Sequence, residues 1–530
     1  MLKSTFKTLL GEMPLTAETY WMLRQRRQPT GGVNLEALRR QLPAWRTQAQ
    51  ASPWRSRAGK RILLFSVLNY WTAHASLLSM ALAGLGHEVT LAYLPYARWQ
   101  TPISKFDLRR QDAYLRHALQ DAQPLVNVVS FAAPVQADLP ASLLEALETL
   151  TLQDVQYTLQ VEDVDPQSDL YLLRRERNLH AARAAWTYLG HSRPDVVIVP
   201  NGSILEFGAV YRVARYLDIN VVTYEFGEQH DRIWFAQNSE VMRQETDELW
   251  QALGGIPLTD VETQRVRELF TARQKGSLWE NFARRWQGVP SEGGERARTA
   301  LGLDSRPVVL LAANVIGDSL TLGRQVFSTS MTEWLQRTVR TFAGWPQAQL
   351  VVRIHPGEKF TKGPSVADVV RAALPEVPAH IHLVEAGDPV NTYDLVQIAD
   401  LGLVYTTTVG MEMAMSGAPV IVAGQTHYRN RGFTRDPQTW DDYSATLEDA
   451  LRHPEAYRLS QAQVDLAWRY ASRFFFDYPM PFPWHLLHMK EDEGAWPLER
   501  FLSPEGQERF AGTFACLTGE QRRWMIDGGR

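Results

Sequence analysis

LVYTTTVGMEMAMSGAPVIVAG, running from Leu403 to Gly424, reads as a buried strand, a turn of small hydroxyl residues, a short helix, a glycine at 417 and a second buried strand. If the first strand is parallel to its neighbours, Thr406, Thr407, Thr408 and the amides up to Gly410 sit at a helix N-terminus. Unsatisfied N–H groups and the helix dipole meet an anion there, and a phosphate or pyrophosphate is the natural guest. Glu412, in the first turn of that helix, is placed to accept hydrogen bonds from ribose hydroxyls. A plainer reading stands beside this one: the threonines cap the helix and Glu412 complements its dipole.

Working outward, the same strand–helix alternation fills the surrounding chain. PVVLLAANV, AQLVVRIHP, AHIHLVEAG, ADLGLVYTT and APVIVAG alternate with helical sequence such as MTEWLQRTVRTFAG, which predicts a doubly wound sheet over about 301–445. Upstream, RILLFSV (Arg61–Val67), HEVTLAYLP, PDVVIVPNG and INVVTYEFG predict a first parallel sheet within 58–300. Residues from about 100 to 190 read as a helical insert, and 240–300 as a charged, glycine-punctuated linker region. A basic helical lead-in (1–57, with Arg24, Arg26, Arg27, Arg39 and Arg40) and a helical tail (446–530) flank the two sheets. The expectation is an α/β protein of two Rossmann-like domains facing a central cleft, with helical insertions and a helical C-terminal tail.

Composition narrows the function. At 530 residues the chain exceeds what one core serves. Lys plus Arg (55) against Asp plus Glu (59) leaves a net charge of −4, no footprint for nucleic acid. The single cysteine, Cys516, permits no intrachain disulfide and makes the cytoplasm the default compartment. No signal-peptide apolar region and no run of about 18 apolar residues is present. The 17 tryptophans and the stretch FFFDYPMPFPWHLLHMK (474–490) fit either interfacial aromatics of a peripheral membrane protein or a buried aromatic cluster.

Three further clusters carry candidate chemistry. In VVRIHPGEKF, residues Arg353, His355, Glu358 and Lys359 follow an apolar strand and emerge at its carboxyl edge, where open α/β sheets bind ligands. In VVTYEFGEQHDRIWF, residues Glu225, Glu228, His230, Asp231 and Arg232 crowd around Gly227. A carboxylate at such a strand end is placed to deprotonate an acceptor hydroxyl, although a solvated acidic turn has the same composition. In GQTHYRNRGFT, residues His427, Tyr428, Arg429 and Arg431 share one loop that suits a charged sugar or phosphate, or simply seals the domain. Asn69 and His74, just past the first strand, are further candidates for the cleft. Asp163-Val164-Asp165 has the look of a metal-binding triplet but adjoins no buried strand, no paired spacing suggests zinc, and no phosphate-binding loop of the ATPase kind occurs.

Through RIHPGE (Arg353–Glu358), TTTVGMEMAMSGAPVIVAG, HYRNRGFT and YEFG (Tyr224–Gly227), the chain resembles the bacterial capsule polysaccharide biosynthesis proteins, which include Kdo transferases of the GT-B type. The resemblance implies a GT-B fold in which His355 and Thr406–Thr408 bind the donor nucleotide and Glu225 serves catalysis. It departs in reading Glu-Phe-Gly where two acids precede the glycine. The implied function is a metal-independent glycosyltransferase without cofactor. It would move a sugar from a CMP-, UDP- or GDP-linked donor, CMP first by analogy, to a glycan or glycolipid acceptor. A sugar-nucleotide epimerase of similar fold and a non-catalytic sugar-nucleotide-binding component of an assembly complex are the alternatives.

Overall fold

The computed structural model describes residues 2–25, 27–275 and 289–524. Arg26 of the basic lead-in, residues 276–288 of the linker region and the last six residues of the tail lie outside the described residues. The chain forms two compact units, one made of the segments up to Asp154, Asp165–Met242 and Met480–Arg522, the other of Val155–Val164 and Arg243–Pro479 with the last residues.

The first unit is built on β1 (Arg61–Val67), β2 (Glu88–Leu94), β3 (Val126–Ser130), β4 (Val196–Pro200), β5 (Asn220–Glu225) and β6 (Arg232–Gln237), in the order β3-β2-β1-β4-β5-β6. The first five strands run parallel and β6 returns antiparallel. Ile62 of β1 lies opposite both Val89 and Val196. Six of the seven β1 residues are buried, because helices cover both faces of a parallel sheet. The helix Asn69–Gly84 supplies much of that cover, with a nearly continuous run of buried residues from Trp71 onward.

The second unit carries β7 (Val308–Ala312), β8 (Gln349–Arg353), β9 (Ile381–Val384), β10 (Leu401–Val404) and β11 (Val420–Val422), all parallel, in the order β11-β10-β7-β8-β9. Trp334, Leu335, Val339 and Phe342 of the helix Met331–Ala343 pack in the core with Leu350 and Val352 of β8. Each sheet therefore repeats the 3-2-1-4-5 arrangement of a Rossmann-like fold, with the strand order reversing between β7 and β10 in the second. Ligands of open α/β sheets bind outside the carboxyl ends of the strands at such a reversal.

Four expectations need correction. The region 100–190 is not purely helical, since β3 forms a half-exposed edge strand with too little apolar sequence to announce itself. RIWFAQ, not read as a strand, is β6. The C-terminal region is helical as expected but not throughout, for Met480–Pro481 pairs antiparallel with β6, and Phe482, Trp484, Phe501, Phe510 and Phe514 join the first unit's core. The second unit begins at Arg243, well before the linker region ends, because Asp260–Gln274 forms a helix that packs with Gln461–Ser472. In the stretch 474–490 the aromatic side chains Phe474, Phe475, Phe476, Tyr478, Phe482 and Trp484 are buried, while Leu487 near its end is exposed. No helix among the described residues is long and apolar enough to cross a membrane.

Candidate functional site

A cavity of about 350 Å³ lies at the carboxyl ends of β7, β8, β9 and β10, lined by Ala312, Ala313, Arg353, His355, Lys359, Asp388, Asn391, Thr392 and Thr407 among others. Arg353 ends β8 and is 4% exposed. Its Nε donates to Thr392 Oγ1 at 3.2 Å and its Nη1 to Glu385 O at 2.7 Å. Among the described residues no carboxylate lies within ion-pairing distance of it, although the charge of Asp388 in the same lining acts on it, and burial lowers its pKa to about 10. A buried cation facing a cavity without an ion-pair partner is a site for an anion.

His355, two residues on, accepts the Gly357 amide on Nδ1 at 3.0 Å and so opens the short turn Pro356–Phe360. The neutral ring then carries its proton on Nε2, the orientation that donates. Lys359 and the exposed ring of Phe360 complete that wall. Glu358 does not join them. Its carboxylate accepts from Ser365 Oγ at 2.7 Å and Val366 N at 3.0 Å, capping the helix Val366–Ala373, and burial pushes its pKa up.

The threonine turn divides its residues. Thr407 reaches the cavity with Val409. Thr406 is buried, its amide donating to Asn314 Oδ1 at 3.2 Å, and Thr408 precedes the helix Val409–Met415 without capping it through its side chain. Gly410 is a packing glycine: a Cβ there would stand 2.4 Å from Tyr428 Oη. Glu412 does not face a ribose position, because it is buried and accepts from Arg273 Nη1 at 2.7 Å. Arg273 itself lines the cavity.

The loop after β11 is structural, contrary to the reading as sugar contacts. His427 stacks on Phe474 at 3.8 Å, bonds Tyr470 Oη at 3.0 Å through Nδ1, and is driven by burial to a pKa of about 3. Tyr428 is fully buried and donates to Thr407 O at 2.6 Å. Arg429 satisfies the carbonyls of Val422, Gly424 and Pro437. Arg431 pairs with Asp247 and donates to Thr246 Oγ1 at 3.1 Å.

In the first unit, Glu225 stands at the carboxyl end of β5, half-buried. Its Oε2 accepts from Asn201 Nδ2 at 3.1 Å and its Oε1 from the Phe226 amide at 3.1 Å, while burial pushes its pKa up. Burial and the Glu225 charge together raise the Tyr70 hydroxyl. Gly227 lies against the Trp234 indole, where a Cβ would meet Cζ2 at 2.7 Å. Glu228 is half-buried in the same turn. Asp231 faces two guanidinium groups, Arg509 at 3.5 Å and Arg232 at 3.9 Å, a poor setting for a base. His230 stacks on His488 at 4.0 Å. Asn69 and His74 serve the fold: Asn69 Nδ2 donates to Gly32 O at 2.9 Å, and His74, 1% exposed, bonds Trp484 O at 3.1 Å and falls to a pKa of about 4 through burial.

The sequence reading missed Arg273, Asn201 and the Asn391–Tyr393 segment. Asn391 caps the helix Thr392–Ile398 by accepting from Tyr393 N at 2.7 Å, and its Nδ2 donates to Gln274 O and Val289 O. The signal was present, since DPVNTYD follows β9 as TTTVG follows β10, with an Asn in the N-cap position.

The sequence matches no protein-family model and no curated protein. Among solved structures the chain is similar to KpsC of Thermosulfurimonas dismutans, a β-Kdo 2,4 transferase, at 15% identity over 55% of this chain and 82% of that one, with a TM-score of 0.33. It is also similar to the UDP-GlcNAc 2-epimerase of Neisseria meningitidis bound to UDP-GlcNAc, at 12% identity over 79% of this chain and 98% of that one, with a TM-score of 0.26. A third is the UDP-GlcNAc 2-epimerase of Methanocaldococcus jannaschii in complex with UDP-GlcNAc and UDP, at 13% identity over 61% and 95% of the two chains and a TM-score of 0.27. The structural neighbours of this chain thus include KpsC Kdo transferases, at low identity and partial coverage.

Proposed function

We propose that the protein is a glycosyltransferase that binds the nucleotide of an activated sugar in the cavity of its second unit and transfers the sugar to a glycan or glycolipid hydroxyl. The observation that carries this reading is Arg353, a buried guanidinium whose hydrogen-bond partners are neutral, set in one cavity lining with His355, Lys359 and Thr407 at the carboxyl edge of a parallel sheet. Arg353 and Lys359 hold the donor's phosphate, and His355 Nε2 donates to the oxygen that gains charge as the glycosidic bond breaks. Phe360 and Pro356 offer the base an apolar wall. Glu225, held by Asn201 and the Phe226 amide, takes the proton of the acceptor hydroxyl.

Thermal denaturation in the presence of CMP, UDP, GDP and their sugars tests the donor site. One nucleotide should stabilise the chain by about 2.7 kcal/mol at a hundredfold excess over its dissociation constant. If none raises the melting temperature, the assignment fails. With the preferred donor and an acceptor, release of free nucleotide identifies transfer, whereas a new nucleotide sugar formed without acceptor identifies epimerisation and overturns the proposal.

A further inference from the structure

The second N-terminal helix, Thr16–Arg24, the turn before it and Leu9 of the first helix, Leu2–Glu12, present apolar side chains to solvent that the fold does not use. Among the described residues, six of the seventeen exposed large apolar side chains fall within fifteen consecutive positions: Leu9, Met13, Leu15, Tyr20, Met22 and Leu23. Leu15 is 71% exposed, Leu23 68% and Leu9 62%. Soluble surfaces scatter such residues singly, so a cluster marks an interaction surface.

The helix geometry explains why these side chains stay outside. Ala17 and Trp21 form the buried face of the second helix. Thr19, Met22 and Leu23, at spacings of three and four, fall on the opposite side, and Leu15, just before the helix, is exposed as well. The buried face is fastened down. Trp21 Nε1 donates to Gln28 O at 2.9 Å and its ring packs edge-on against Tyr114. Arg109 holds Glu18 through Nε at 2.9 Å and Nη2 at 2.6 Å, and bonds the carbonyls of Gly11 and Met13 through Nη1. The pair cannot roll to hide its outer leucines without breaking these bonds.

Charge selects the partner. Glu12 is neutralised by Lys105, Glu18 by Arg109, and Asp107 by Lys7 and Arg110. Arg24 and Arg27 are exposed and have no ion pair among the described residues. The acids are compensated and two cations are left beside exposed leucines. Tyr20, packed edge-on against Phe106, adds an amphipathic ring at the margin.

We propose that this helix pair docks the protein on an anionic lipid bilayer, its leucines and methionines entering the headgroup boundary and Arg24 and Arg27 meeting lipid phosphates. This is independent of the nucleotide site.

Co-sedimentation of the full chain with vesicles of phosphatidylcholine alone, and of phosphatidylcholine and phosphatidylglycerol mixed two to one, tests it. The protein should pellet with the mixed vesicles, less so as salt is raised. Leu15→Glu with Leu23→Glu changes only exposed side chains, should leave the melting temperature unaltered, and should weaken binding tenfold or more. Arg24→Gln with Arg27→Gln should weaken it by about fivefold per charge removed. The proposal is overturned if the protein stays in the supernatant with mixed vesicles at low salt, if it binds both vesicle types equally, or if the double Glu variant pellets like the wild type. It is also overturned if sedimentation shows a dimer that the double Glu variant dissolves while no vesicle is bound, for the face then serves a second copy of the chain.

Discussion

Glu412 Oε1 accepts from Arg273 Nη1 at 2.7 Å, and neither side chain is more than 5% exposed. Arg273 lines the cavity, and Glu412 is not among its lining residues. Breaking a buried ion pair by removing one partner costs up to about 3–5 kcal/mol. Glu412→Ala should therefore lower the stability of the chain to urea by that amount. Unchanged stability with weakened nucleotide binding would mean that Glu412 contacts ribose after all.

Arg353 makes the converse case, a buried cation whose hydrogen-bond partners, Thr392 and the Glu385 carbonyl, are neutral and on which the charge of Asp388 acts from across the cavity lining. In the proposed complex a bound phosphate would supply the opposing charge. Arg353→Met should weaken the preferred nucleotide by about tenfold to a hundredfold, the worth of one hydrogen bond to a charged group. Arg353→Lys should fall between, since the ammonium keeps the charge and loses the two-pronged geometry that places it. Calorimetric titration of the three proteins decides the matter, and equal affinities would remove Arg353 from the site.

What was legible in the sequence follows from what burial does to residue types. The strands of the second sheet read as apolar runs because both faces are covered, and β8 is buried along its whole length. β3 and β6 escaped because half-exposed strands mix polar and apolar residues. The alternation placed RIHPGEKF and TTTVG at a sheet edge, yet could not tell which side chain turns to the cavity. Arg353 and Glu358 look alike as loop-edge charges, and one lines the cavity while the other caps a helix. His427, Arg429 and Arg431 carried the residue types of a binding loop. Their donors meet carbonyls, a phenol and Asp247 drawn from several segments, and those partners become visible only in three dimensions.

His74 and His427 are buried and neutral, held at about 4 and about 3 by burial, against an ordinary value near 6.5. The unfolded chain binds protons at these rings first as pH falls. The stability they confer is complete above about pH 6.5 and is lost progressively as pH drops toward the folded values, by about 1.4 kcal/mol per pH unit for each ring. Urea midpoints measured from about pH 7 to pH 5 should fall accordingly. His427→Gln, which cannot be protonated, should be less stable at pH 7 and less sensitive to acid. A midpoint that is flat with pH in the wild type would contradict the buried, neutral assignment.

Glu225 and Asn201 end neighbouring parallel strands, and the Asn201 amide donates to the carboxylate at 3.1 Å. Burial raises the Glu225 pKa while this bond and the Phe226 amide lower it, so the carboxyl titrates above its ordinary value. As a general base it acts only when ionised, and the acidic limb of the kcat/KM profile should lie above the usual range for glutamate. Glu225→Gln should abolish transfer and leave nucleotide binding intact, because Glu225 is not among the residues lining the cavity proposed for the nucleotide. Asn201→Ala removes one of the two bonds favouring the anion and leaves burial in place. Its acidic limb should therefore move to higher pH, with activity recovered on the alkaline side. A merely structural Asn201 would lower activity at every pH without moving the limb, and a Glu225→Gln enzyme that still transfers sugar would send the search for the base to Glu228.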